Sequence, residues 1–206
     1  MQAGQWLSAT LMSCAMALLS LDAAAASLHV QVVDQAGAPA ADTVVYATPV
    51  SGKLPARPPA GAIIDQIHRM FVPLVSVVQT GGAITFPNKD NFEHDVYSFS
   101  SAKKFELNLY HGIPAHPVVF DKPGVVVMGC NIHDLMIAYL LVVDTPYFAK
   151  TDASGQAVID GLPADDYQIN AWSYRAVDPD AKPSQKITLN ADASAKFALQ
   201  LKPDPQ

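Results

Sequence analysis

A chain of 206 residues has room for one large domain or two small ones, and half of its residues are hydrophobic while only 16 % are charged, so it must bury a packed core. Its net charge of −6 at neutral pH excludes the broad basic footprint of a nucleic-acid binder. Sixteen prolines and eleven glycines, in short clusters, cut the sequence into pieces of about five to ten residues; no apolar-periodic segment after residue 26 is long enough to argue for a helix.

Residues 1–26 differ from the rest. "WLSATLMSCAMALLSLDAAAA" is an apolar run followed by small residues, with an Ala-x-Ala pattern at Ala24–Ala26, and reads as a secretory signal peptide. Its start, "MQAGQ", carries no Lys or Arg, which leaves the true start codon open. The run is short for a membrane span and is interrupted by Ser13, Ser20 and Asp22. A lipoprotein reading at Cys14 is the weaker alternative, because the apolar segment continues past that cysteine. Removal of 1–26 takes away one acid, Asp22, and no base, so the charge moves only from −6 to −5. It also takes away Cys14, leaving Cys130 with no internal disulfide partner; a lone thiol in an oxidising compartment is a liability unless it is buried or ligated.

Residues 27–52 form the first strands of a small unit. "LHVQVV" alternates with Leu28, Val30 and Val32 on one face and His29 on the other, and "TVVYATPV" follows after a turn-rich connector. "SGKLPARPPAGA" (51–62) is a linker or crossover. Residues 53–148 then hold eight apolar or alternating runs separated by turn signals: "IIDQIHRMFVP", "VSVVQT", "AITFPN", "HDVYSFS", "KFELNLY", "PVVFD", "GVVVMGC" and "IAYLLVV". That is the pattern of an all-β sandwich. From residue 149 to 206, Asp-Ala-Ser-Gly and Gly-Leu-Pro-Ala-Asp-Asp turns frame "QAVI" and "YQINAW", and "KITLN" and "KFALQLK" complete the chain. The fold class is therefore all-β, with strands from both ends of the mature chain flanking a distinct β unit.

The chemistry concentrates in "GCNIHDLM". Cys130, His133 and Met136 stand at C-x2-H-x2-M between two strands, a loop tight enough to wrap three side chains around one point. His94, at the start of a strand after the polar loop "FPNKDNFE", is the fourth candidate. Two imidazoles, one thiolate and one thioether suit copper, and a trigonal His2Cys plane with a weak axial Met is the blue-copper arrangement. Structural zinc seldom uses a thioether. Iron–sulfur clusters want several cysteines and a c-type haem wants C-x-x-C-H; neither is present. A Cys–His nucleophile stays open but leaves Met136 unexplained. Taken singly, each residue has an ordinary structural explanation, since Cys is commonly buried and Met fills cores. It is their combination in an exported chain that points to a metal.

"TFPNKDNFEHDV" followed by "GCNIHDLM" resembles the two ligand segments of cupredoxins, the plastocyanin–azurin group, with the loop spacing of amicyanin. Residues 63–152 further resemble exported plastocyanin-like proteins often called methylamine utilisation proteins. The resemblance implies a cupredoxin Greek-key β-sandwich over 53–148 and one type 1 copper ion held by His94, Cys130, His133 and Met136. Asp95 stands where many cupredoxins have Asn tying the ligand loops together; it either places a negative charge near copper or pairs with Asn131. Leu135 stands where an aromatic often precedes the Met. The flanks, "LHVQVVDQAGAPAADTVVYATP" and "AKTDASGQAVIDGLPADDYQINAW", resemble the two ends of a carboxypeptidase-regulatory-like, transthyretin-type sandwich.

The implied function is single-electron transfer in the periplasm, with an exported quinoprotein dehydrogenase or c-type cytochrome as partner and Ile132, Leu135 and loop 112–114 supplying an apolar exit surface around His133. No enzyme activity, nucleic-acid partner or transmembrane segment in the mature chain is expected. The alternatives are copper storage or delivery through the same four ligands, or a non-redox module that binds glycan or envelope protein. A second metal site at His111 and His116 matches no firm ligand spacing. Trp172 and Tyr174 read as strand residues of the C-terminal sheet rather than a sugar platform, and Lys103 and Lys104 as solvated surface.

Overall fold

Side-chain alternation decides which face each strand buries. In β1 (Ala26–Asp34), Ala26, Leu28, Val30 and Val32 are buried while His29 between them is exposed, the period-two pattern of a strand covered on one side. The structure, a computed structural model, describes residues 25–55 and 58–203. The signal peptide expected over 1–26 lies almost wholly outside them, Cys14 with it.

After β1 comes β2 (Val44–Pro49), then β3 (Ala62–Ile63), β4 (Asp65–Ile67), β5 (Met70–Val72), β6 (Val75–Gln79) and β7 (Gly82–Thr85). Next are β8 (His94–Ser100), β9 (Lys103–Tyr110), β10 (Val118–Phe120), β11 (Gly124–Gly129) and β12 (Ile137–Val143). The chain closes with β13 (Phe148–Lys150), β14 (Gln156–Leu162), β15 (Asp165–Trp172), β16 (Ser184–Leu189) and β17 (Ala193–Leu199). No helix occurs among the described residues, so the all-β expectation holds.

The strands make two sandwiches. In the smaller, the sheet β14-β1-β17 faces the sheet β13-β2-β15-β16, and Leu28, Val32, Val45, Ile159, Tyr167, Ile169, Leu189 and Phe197 fill the space between them. Its strands come from both ends of the chain. β1 pairs in parallel with β17 and antiparallel with β14. In the larger, the sheet β6-β12-β11-β8-β9 faces β10-β7-β3 across Ile84, Phe86, Val96, Phe120, Val126, Met128 and Leu140. Cys130 and Met136 belong to this same core.

β12 shows why its sequence, "IAYLLVV", is apolar almost throughout. Leu140 faces the larger core, while Leu141 and Val143 on the other face meet Val44 and Trp172 of the smaller sandwich. Tyr139 stacks on Tyr174 with ring centroids 4.8 Å apart across the same seam. Trp172, 6 % exposed, is thus a seam residue, which removes it as a sugar platform.

One expected run folds differently. "IIDQIHRMFVP" is not a single strand but breaks into β3 and the β4–β5 hairpin, whose turn residues His68 and Arg69 both take positive φ, 55° and 60°. Non-glycine residues rarely adopt that backbone unless neighbouring groups hold it. Here the Asp90 carboxylate accepts both turn amides, from His68 at 2.7 Å and Arg69 at 3.0 Å.

Gly155 is the glycine on which the smaller sandwich depends. It sits at φ +73°, its carbonyl accepts the Val32 N–H at 2.8 Å, and a Cβ there would be driven into the Val32 carbonyl oxygen. Gly155→Ala is expected to cost about 2 kcal/mol or more in chemical denaturation, by backbone strain plus the clash. An unchanged denaturation midpoint would refute this packing.

Candidate metal centre

Three donor side chains from two separate stretches meet at one end of the larger sandwich. β8 begins at His94, which the polar loop before it delivers into the core with 0 % exposure. β11 ends at Gly129 and β12 begins at Ile137, so Cys130, His133 and Met136 share the short loop between two paired strands. Gly129 is needed at the loop's entrance: the Tyr97 ring lies against it, and a Cβ would approach Tyr97 Cζ to 3.0 Å. The loop closes on itself through Met136 N–H donating to the His133 carbonyl at 2.9 Å and Cys130 N–H donating to the Met136 carbonyl at 3.3 Å.

Cys130 Sγ lies 3.7 Å from His94 Nδ1 and 3.7 Å from His133 Nδ1. All three donor atoms fall within 4.8 Å of one another. A metal bonded to sulfur at about 2.3 Å and to nitrogen at about 2.0 Å, with an angle near 120° between the bonds, requires sulfur and nitrogen to stand about 3.7 Å apart. The donors are therefore spaced for a single ion between them. Among the described residues this is the one such group of His, Cys and carboxylate side chains. Met136, the last residue of the loop before β12, lies in the same buried core cluster as Cys130 and is 1 % exposed.

Each donor's second contact orients it. His94 Nε2 stands 2.8 Å from Asp90 Oδ2, which directs the ring's other nitrogen, Nδ1, to Cys130. Burial opposes the charge on Asp90, but hydrogen bonds from the Arg69 amide, His94 and the His68 amide outweigh it and hold its carboxyl down at about 2. Phe92 covers both imidazoles, edge-on to His94 at 5.0 Å between centroids and tilted against His133 at 5.6 Å. The Arg69 guanidinium lies over the Phe92 ring at 5.3 Å.

Asp95 pairs with Asn131. Its Oδ1 accepts the Asn131 backbone N–H at 2.8 Å and its Oδ2 accepts the side-chain amide at 2.5 Å, so this buried carboxylate ties the His94 strand to the Cys130 loop. The other alternative, a negative charge near the donors, holds as well. Burial first, and the adjacent Asp95 second, push the Cys130 thiol up from its ordinary value. A raised thiol is the opposite of what a cysteine nucleophile needs, and this argues against the Cys–His nucleophile alternative.

His29, His68, His111 and His116 are exposed and none joins the donor group. Lys103 pairs with Asp121 at 3.1 Å and Lys104 is exposed. Sequence reasoning missed Asp90 and Phe92. Asp90 is legible only as the i−4 neighbour of His94, a spacing that carries no weight in an irregular loop.

No family model matches the chain, and no curated protein matches it. Solved structures do show partial likeness. A Sinorhizobium pseudoazurin shares 22 % identity over 42 % of this chain and 76 % of its own, with a TM-score of 0.33. A purple cupredoxin from Nitrosopumilus maritimus shares 21 % identity over 39 % of this chain and 95 % of its own, with a TM-score of 0.34. An oxidised amicyanin variant shares 15 % identity over 47 % of this chain and 98 % of its own, with a TM-score of 0.36. All three overlap less than half of this chain, and the chemistry of the site stands on its own geometry.

Because Cys130 is 5 % exposed and its thiol is raised, the metal-free protein should be alkylated by iodoacetamide at neutral pH about tenfold or more slowly than free cysteine. The rate should climb as pH rises toward the thiol's raised value. A fast, pH-independent reaction would contradict the burial and the electrostatics together.

Proposed function

We propose that the protein is an exported type 1 copper protein that carries single electrons between periplasmic redox partners. The observation that carries this reading is the placement of two imidazole Nδ1 atoms, each 3.7 Å from one buried thiol, with Met136 buried in the same cluster. His94, Cys130 and His133 would be the principal ligands of the copper ion and Met136 a weaker fourth. When bound, copper supplies a one-electron couple.

The chain's own residues supply the rest. Cys130 must give up its proton for the thiolate to bind, so metal uptake releases protons. Donors already standing at bonding separations limit rearrangement between oxidation states. His94 and Cys130 are sealed in the core, whereas His133 is half-buried and is the ring nearest solvent. On either side of it Ile132 is 52 % and Leu135 94 % exposed, and Ile113 of loop 112–114 is 71 % exposed. Apolar side chains this open give a partner a contact that excludes water and leaves the imidazole edge as the exit for the electron. An exported quinoprotein dehydrogenase or c-type cytochrome is the partner class that fits. The donor set, two imidazoles, a thiolate and a thioether, is the one suited to a one-electron carrier.

Adding Cu(II) to the metal-free protein should produce an intense visible thiolate-to-copper band at one equivalent, and Cys130→Ser should abolish it. A colourless site that holds only Cu(I) would replace electron transfer with storage or delivery. A folded protein that binds no copper would overturn both.

A further inference from the structure

We propose that Asp90 is an anionic brace for His94, fixing the ring with its proton on Nε2 and Nδ1 toward Cys130, and biasing a bound copper ion toward Cu(II). The inference rests on the copper reading above for its redox half; the tautomer half stands on the metal-free protein alone.

The geometry is that of a carboxylate–histidine pair behind a metal ligand. Asp90 Oδ2 is 2.8 Å from His94 Nε2, the His94 side chain is 0 % exposed and the Asp90 side chain 8 %. In a neutral imidazole one nitrogen carries the proton and the other the lone pair. An ionised carboxylate can only accept, so it places the proton on Nε2 and leaves the Nδ1 lone pair facing Cys130. Such a partner also makes the ring a stronger donor.

Asp90 cannot swing away to become a ligand itself. Its Oδ1 accepts the His68 amide at 2.7 Å, and its Oδ2 accepts the Arg69 amide at 3.0 Å in addition to His94. These two amides belong to the positive-φ turn of the β4–β5 hairpin, so the carboxylate is clamped by backbone on one side and by the ligand ring on the other. The Asn88 side-chain oxygen accepts the Asp90 N–H at 3.0 Å and fixes the loop between them. A held negative charge one imidazole away from the metal, largely screened from water, stabilises the more positive Cu(II) over Cu(I). Asp90 is thus a positioning residue that acts through His94 and does not touch the metal.

Asp90→Asn tests both halves, because it keeps the shape and removes the charge. Nitrogen-15 NMR of the metal-free wild type should show His94 with its proton on Nε2; a ring protonated on Nδ1 overturns the brace whether or not the protein binds copper. In the copper-loaded proteins, Asp90→Asn should keep a visible thiolate-to-copper band while its Cu(I)/Cu(II) balance shifts roughly tenfold toward Cu(I), about 59 mV upward in potential for a one-electron couple. A wild type that takes no copper overturns the function reading and the redox half together. A wild type that takes copper normally, with an Asp90→Asn Cu(I)/Cu(II) balance within about twofold of it, overturns the redox half alone.

Discussion

Everything in the site depends on one constraint: a thiol and two imidazoles must arrive at bonding separation from strands that are distant in sequence. Cys130 and His94 are 36 residues apart, yet Sγ and Nδ1 stand at 3.7 Å. The sheet order β12-β11-β8 achieves this by placing the end of β11 beside β8, where Gly129 pairs with Tyr97. The loop then needs only to turn back into β12 to bring His133 to the same sulfur. The metal would find its donors in position instead of gathering them, which is the condition for electron transfer with little rearrangement.

Two carboxylates enforce that arrangement through different partners. Asp95 holds the Cys130 loop through Asn131, and Asp90 holds His94 while also accepting the amides of the β4–β5 turn. Both charges bear on the donors, and Asp95 contributes to raising the Cys130 thiol. Phe92 closes the remaining side over both rings, so that the exposed approach is through His133 and its apolar neighbours. Positioning and charge thus come from the same two carboxylates, while access is set by Phe92 and the apolar residues beside His133.

Much of this was legible in the sequence. The all-β class followed from proline and glycine spacing, and strand faces such as Leu28–Val30–Val32 followed from alternation, because period-two patterns survive in any sheet buried on one side. The donor group was legible because C-x2-H-x2-M and an upstream His are chemically unusual together. What escaped was set by tertiary contact. "IIDQIHRMFVP" looks continuous, and only Asp90, some twenty residues later, provides the acceptors for a turn at His68 and Arg69. Trp172 reads as a strand residue of its own sheet, while its place in the seam with β12 depends on how two sandwiches meet. Asp90 and Phe92 show no signal at all until the loop is folded.

The smaller sandwich shapes the site only indirectly, by covering the outer face of β12 with Val44 and Trp172 and so fixing one of the two strands from which the donor loop hangs. The central claim is the identity of the atoms around the metal, and copper-edge X-ray absorption of the loaded protein reads those atoms directly. The account predicts one sulfur at about 2.3 Å and two imidazole nitrogens at about 2.0 Å. A shell of nitrogen and oxygen with no short sulfur would contradict it.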